Sequence, residues 1–148
     1  MKGNLIALFS ILCFSGSSFC QTESQTDKLN PNDFAQVFQL AIDLPSLQKY
    51  FHPETDSSRK QIVFKYFGNK NHGQLAGVKK FGRQVIVLSE EEIKKRNIKY
   101  YFVVGDWVCG IDAIRLQLSY VGEGVLASYR FIKVENKWKV DNSQIEEE

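Results

Sequence analysis

Cysteine is scarce in this chain. Three occur in 148 residues, and Cys13 and Cys20 both sit in the first twenty. Only Cys109 remains beyond them, so no disulfide can form within that part, and its stability must come from packing. Histidine is as rare. His52 and His72 stand alone, with no second histidine or cysteine at a metal-ligand spacing such as His-x-x-x-His. No cofactor motif is present, and none is expected. Charge of one sign is also lacking: 19 Lys+Arg face 17 Asp+Glu, a net charge of +2. Such a balance gives no global field to draw nucleic acid. The most apolar run, residues 5–14 (LIALFSILCF), is about half of the roughly 20 residues that a membrane-spanning helix needs. No transmembrane span is expected.

That short run has a different meaning. Lys2 precedes it, and the polar, small stretch Ser15-Gly16-Ser17-Ser18 follows it. This order is the signature of a cleavable signal peptide over residues 1–20. Cleavage is expected near Cys20-Gln21, with Ser18 and Cys20 as the small residues. The alternative is a lipoprotein acylated on Cys20. It is disfavoured by Phe19 and Ser17, which stand where a lipobox has a small and an aliphatic residue. The expected address is therefore exported, periplasmic or secreted. Lys2 is the leader's only charge, so its loss takes the net charge from +2 to +1. The remaining 128 residues make one domain of ordinary size.

Residues 21–30 (QTESQTDKLN) are polar and read as a disordered linker. The domain is expected over residues 31–142. Asn32 is the expected helix cap, with Asp33 in the first turn. Phe34, Val37, Phe38 and Ala41 then follow at amphipathic-helix spacing. Pro45 interrupts the helix, and a second short segment carries Leu47, Tyr50 and Phe51. Residues 61–67 and 83–88 read as strands, joined by a long glycine-rich connection over 68–82. Ser89 and Glu92 have capping-box spacing before a short helix ended by Lys94, Lys95 and Arg96. Residues 99–108, bulged near Gly105, and residues 111–121, 125–134 and 138–140 read as a meander of antiparallel strands with tight turns. Residues 143–148 are expected to be a frayed acidic tail. Helices first and strands afterwards mean segregated α+β structure. The expected architecture is an N-terminal helix in two segments, packed on a curved antiparallel sheet of five to six strands.

That order of elements resembles the cystatin-like and nuclear-transport-factor-two-like folds. The closing residues 129–140 (YRFIKVENKWKV) look like the last hairpin of many small exported bacterial proteins of that shape. With its leader ending in Cys-Gln, the whole chain is similar to such proteins from the Bacteroidota. The resemblance implies the fold but no activity, since this fold hosts isomerases, cyclases and domains that only bind.

Candidate chemistry falls on a few residues. Between Asp56 and Glu90 stand seven cations and no acid: Arg59, Lys60, Lys65, Lys70, Lys79, Lys80 and Arg83. Tyr66, Phe67 and Phe81 interleave with them. A basic, aromatic loop of this kind suits an anionic ligand, and Lys70, His72, Lys79, Lys80 and Arg83 are its candidate contacts. Asp106 beside Trp107 is the second candidate. In isomerases of the resembled fold, a cavity aspartate takes a proton from carbon. Gly105-Asp106 also reads as bulge sequence, in which the carboxylate serves its own backbone. Cys109, between Val108 and Ile111, reads as a small core hydrophobe rather than a nucleophile. The favoured reading is an exported, non-enzymatic binding or accessory domain for an anionic or small apolar ligand. Its rivals are an isomerase-like or cyclase-like enzyme using Asp106, and a sheet-surface interaction protein that forms a homodimer.

Overall fold

A computed structural model describes residues 29–68, 75–110 and 112–147. The leader and most of the linker lie outside these described residues. Helix α1 runs Pro31–Ile42. Its cap is Asn30, not Asn32: the Asn30 side chain accepts from the Asp33 backbone N–H at 2.8 Å. Pro31 explains the shift. It has no N–H to donate and a φ already suited to the first helical position, so the cap falls immediately before it. Phe34, Val37, Phe38, Ala41 and Ile42 are the buried stripe of α1. Two short 3-10 helices follow, Pro45–Tyr50 and Ser57–Lys60.

The main sheet combines strands β1 (Val63–Lys65), β4 (Ile86–Leu88), β5 (Tyr101–Cys109), β6 (Ala113–Val121), β7 (Val125–Val134) and β8 (Lys137–Glu147). Their spatial order is β4-β1-β5-β6-β7-β8. The sheet is mostly antiparallel but mixed, since β1 pairs parallel with both β4 and β5. An entirely antiparallel sheet was the expectation. Parallel neighbours need crossovers rather than tight turns. One crossover leads from β1 to β4; helix α2 (Glu90–Lys95) forms the other, from β4 to β5. The strand expected over residues 61–67 contracts to three residues. The stretch expected at 83–88 divides into β4 and part of a separate two-stranded hairpin, β2 (Lys79–Lys80) with β3 (Arg83–Gln84).

The meander is as the alternation predicts. Ile114, Leu116, Leu118 and Tyr120 are all buried. A bulge falls at Gly105-Asp106, where pairing steps from Val104–Leu118 to Trp107–Leu116. The C-terminus departs from expectation. β8 spans 11 residues, and its pairing with β7 continues to Val125–Glu147. The supposedly frayed tail is therefore sheet. Its pattern is hidden by a second bulge at Asp141, where Val140 pairs with Phe131 and Asn142 with Arg130. An inserted residue switches the inward positions from even to odd numbers, from Trp138 and Val140 to Ser143 and Ile145.

Helix α1 packs on one face of the sheet through aromatic rings. Phe38 meets Phe64 edge-on at 5.5 Å and Phe34 meets Trp107 at 5.3 Å. Fully burying such a side chain stabilises by about 2–3 kcal/mol. The buried Tyr129 hydroxyl donates to the Ala41 carbonyl at 3.1 Å, tying β7 to the helix. Successive strand residues point to opposite faces. Val63 and Tyr101 therefore turn away from Phe64 and Phe102, toward a smaller cluster with Leu88 and Ile93 beneath α2. Among the described residues, no helix is long and apolar enough to cross a membrane.

Candidate ligand-binding site

Beside that smaller cluster a cleft of about 480 Å³ opens. Its walls are the Ser57–Lys60 turn, the β3 strand and the loop from α2 to β5. Each wall is held by local chemistry. Asp56 begins the 3-10 turn by accepting from the Ser58 N–H at 2.8 Å. The Gln61 side chain donates to the Gln84 carbonyl at 2.8 Å, fastening β3 to the start of β1. At the end of α2, Asn97 takes a left-handed φ of 52°. Asparagine tolerates that conformation better than most residues and is a common helix terminator. The Ile98 N–H then bonds back to the Ile93 carbonyl at 3.0 Å, and the chain reverses so that Ile98 and Lys99 line the cleft.

The β3 wall depends on a strained hairpin. Its two turn residues, Phe81 and Gly82, both have positive φ, 52° and 74°, which is the geometry that matches strand twist in a two-residue hairpin. A bulky residue in that region is unusual. Here the Phe81 ring packs edge-on against Phe51 at 5.6 Å. The Lys80 ammonium lies 5.4 Å from the Phe51 ring and bonds to Asp43 at 2.7 Å. Gln39 completes the anchor: its side chain both donates to the Lys79 carbonyl and accepts from the Lys79 N–H, each at 2.9 Å.

Tyr100 forms the remaining wall. The Arg59 guanidinium stacks on its ring, 3.6 Å from the centroid. Arg59 is buried and ion-paired with Glu123, and it reaches the Tyr50 and Phe51 carbonyls at 3.4 and 3.5 Å. Gly122 passes so close that a Cβ there would lie 2.5 Å from the Lys99 carbonyl and 2.6 Å from Tyr100 Cδ1.

The cleft has an apolar floor and a charged rim. Val63, Ile86 and Ile98 supply the floor. Arg83, Arg96 and Lys99 supply three cations against one carboxylate, Asp56. Hydrogen bonds from the Ser58 hydroxyl and then its backbone hold the Asp56 carboxyl below its ordinary pKa, with smaller help from Arg59 and Lys99. Arg96 makes only a long, exposed contact to Glu92 at 3.4 Å. Among the described residues, Arg83 and Lys99 have no ion pair at all. No histidine or cysteine of the described residues lines the cleft.

The basic segment read from the sequence is dispersed by the fold. Arg83 reaches the cleft. Lys79 and Lys80 belong to the hairpin anchor, Lys65 pairs with Glu90 at 2.7 Å, and Arg59 is buried. Lys70 and His72 lie outside the described residues. Arg96 and Lys99, which read only as the end of a helix and the start of a strand, join Arg83 because α2 brings the chain back to β1. No linear spacing announces that meeting.

Asp106 does not stand between helix and sheet, where the isomerase-like rival would need its cavity carboxylate. The bulge puts Asp106 and Trp107 on opposite faces. Trp107 packs on Phe34 and Phe38, whereas Asp106 is exposed in an outer groove of about 230 Å³ with Arg115 and Gln117. Cys109 is buried, and that burial pushes its thiol pKa up to about 11, the reverse of what a reactive cysteine needs. Among the described residues, no group of three or more His, Cys, Asp or Glu side chains is placed to hold a metal ion.

Comparison with protein-family models, with curated proteins and with solved structures finds no match to this chain.

Proposed function

We propose that this protein is an exported, non-enzymatic binding domain of cystatin-like or nuclear-transport-factor-two-like architecture, holding an anionic ligand in the cleft rimmed by Arg83, Arg96 and Lys99. One observation carries the reading: three cations from two segments, β3 and the α2–β5 loop, line one concave, apolar-floored site with a single opposing carboxylate. Cations beside low-dielectric walls attract anions more strongly than the same charges spread over a flat surface. Export is supported by the leader's pattern of charge, apolar run and small residues.

Heparin chromatography tests the charge reading. The mature protein is expected to be retained at low salt and released as salt rises. Combining Arg83→Glu, Arg96→Glu and Lys99→Glu should abolish retention. Three reversals elsewhere, Arg130→Glu, Lys137→Glu and Lys139→Glu, should only reduce it. Equal losses from both sets, or no retention of the unaltered protein, would refute the site. N-terminal sequencing of protein from the extracytoplasmic fraction should begin near Gln21. An intact Met1 on cytosolic protein would refute export.

A further inference from the structure

We infer that the ligand of this cleft is an amphiphilic anion, with an apolar body lying on Val63, Ile86 and Ile98 and its acidic head among Arg83, Arg96 and Lys99. This rests on the anion-binding reading above and adds the half of the ligand that charge does not specify. The argument starts from the smaller apolar cluster. Only Val63, Leu88 and Ile93 are buried in it, while Ile86, Ile98 and Tyr101 remain half-buried around them. The element that covers this face, α2, has six residues and buries one side chain, Ile93. It is too short to reach across Ile86 and Ile98, which open into the cleft instead.

Charge alone does not call for such a floor. A small inorganic anion would sit at the rim and leave the apolar surface wet. A polysaccharide acid would present hydroxyls to it. An acyl chain or an aromatic ring would cover it. A cleft of about 480 Å³ falls within the range of roughly 300–1,000 Å³ found for small-molecule sites, which pair apolar walls with a few placed polar groups. Ser58, Gln61 and Asn97 supply neutral polar groups at its edge.

The test is titration calorimetry of the mature protein with hexanoate, octanoate and decanoate, each below its micellar concentration. Affinity should rise about fourfold per added methylene, and decanol should bind at least tenfold more weakly than decanoate. Lys99→Gln combined with Arg96→Gln should weaken all three acids by a similar factor and leave the chain-length slope intact. Ile98→Ser should flatten the slope. If Ile98→Ser does not fold, Ile86→Thr replaces it, and the slope on the unaltered protein is decisive in any case. Heparin retention without any dependence on chain length would overturn the amphiphile and leave the anion site standing. Loss of both responses would overturn both.

Discussion

The guanidinium of Arg59 lies over the Tyr100 ring, its central carbon 3.6 Å from the ring centroid. Glu123, from the β6–β7 turn, ion-pairs with the same guanidinium. One buried cation thus joins the Ser57–Lys60 turn, the cleft wall and the meander. Removing one partner of a buried pair strands the other. Glu123→Gln is expected to cost about 3 kcal/mol, measured by urea unfolding. The double variant Arg59→Met with Glu123→Gln should be more stable than the sum of the two single changes implies. Additive losses would show that the two side chains do not act as a unit.

Gly122 seals this wall. A side chain there would collide with the Lys99 carbonyl and the Tyr100 ring, and the backbone has a left-handed φ of 95°. Gly122→Ala combines strain with overpacking and should lower stability by about 2 kcal/mol or more. It should also weaken heparin retention, because Lys99 and Tyr100 move with the clash. Unchanged melting and unchanged retention together would contradict the packing described.

Truncation after Asn142 would be harmless if the acidic terminus were frayed. In the structure, Ile145 packs against the main core, and the Tyr50 hydroxyl donates to Glu147 at 2.5 Å. Loss of this half-buried isoleucine and several ladder bonds should destabilise the domain by about 3 kcal/mol. Thermal unfolding of the shortened chain decides the matter.

Stability should fall at both ends of the pH scale, for opposite reasons. Bonds from Lys65 and then Lys94 hold Glu90 down to about 2, and Glu91 and Glu147 are also lowered. A carboxyl depressed by folding stabilises above its unfolded value near 4.5, and that benefit is lost as pH falls toward 2. Burial raises Cys109 to about 11 and Tyr120 to about 12. Between pH 9 and those values the unfolded chain releases protons that the folded chain keeps, so stability declines as pH rises. Urea midpoints across pH 2.5 to 11 should form a dome. Glu90→Gln should flatten its acid limb, and Cys109→Ala should blunt the first part of its alkaline limb.

Ser89 and Glu92 form a reciprocal cap at the start of α2, with bonds of 3.2 and 3.0 Å. Ser89→Ala should cost about 1 kcal/mol. Hydrogen exchange should localise the loss to α2 and the Ile98 amide. Exchange that rises equally across β6 and β7 would argue for a global effect instead.

Elements that depend on local chemistry were legible in the sequence. The α1 stripe, the α2 capping box, the Gly105 bulge and the inward face of β6 each follow from the identities of neighbouring residues. Two local misreadings have local causes: Pro31 displaced the α1 cap, and the Asp141 bulge hid the last half of β8. The parallel pairing of β1 was not legible, because strand direction depends on where a crossover returns. The same holds for the cleft. Arg83 stood out by composition, but Arg96 and Lys99 looked like an ordinary helix end.

The sequence by itself determined the class of structure, the expectation of a removable leader, a core rich in aromatic rings and, at Cys109, a thiol too apolar in setting to react. These depend on residue type and short-range period, which the chain carries wherever it folds. Only the tertiary structure decided which cations share a cleft, which side of the sheet Asp106 takes and where apolar surface stays uncovered. Those outcomes depend on strand order and on the reach of a six-residue helix, and no local interaction encodes either.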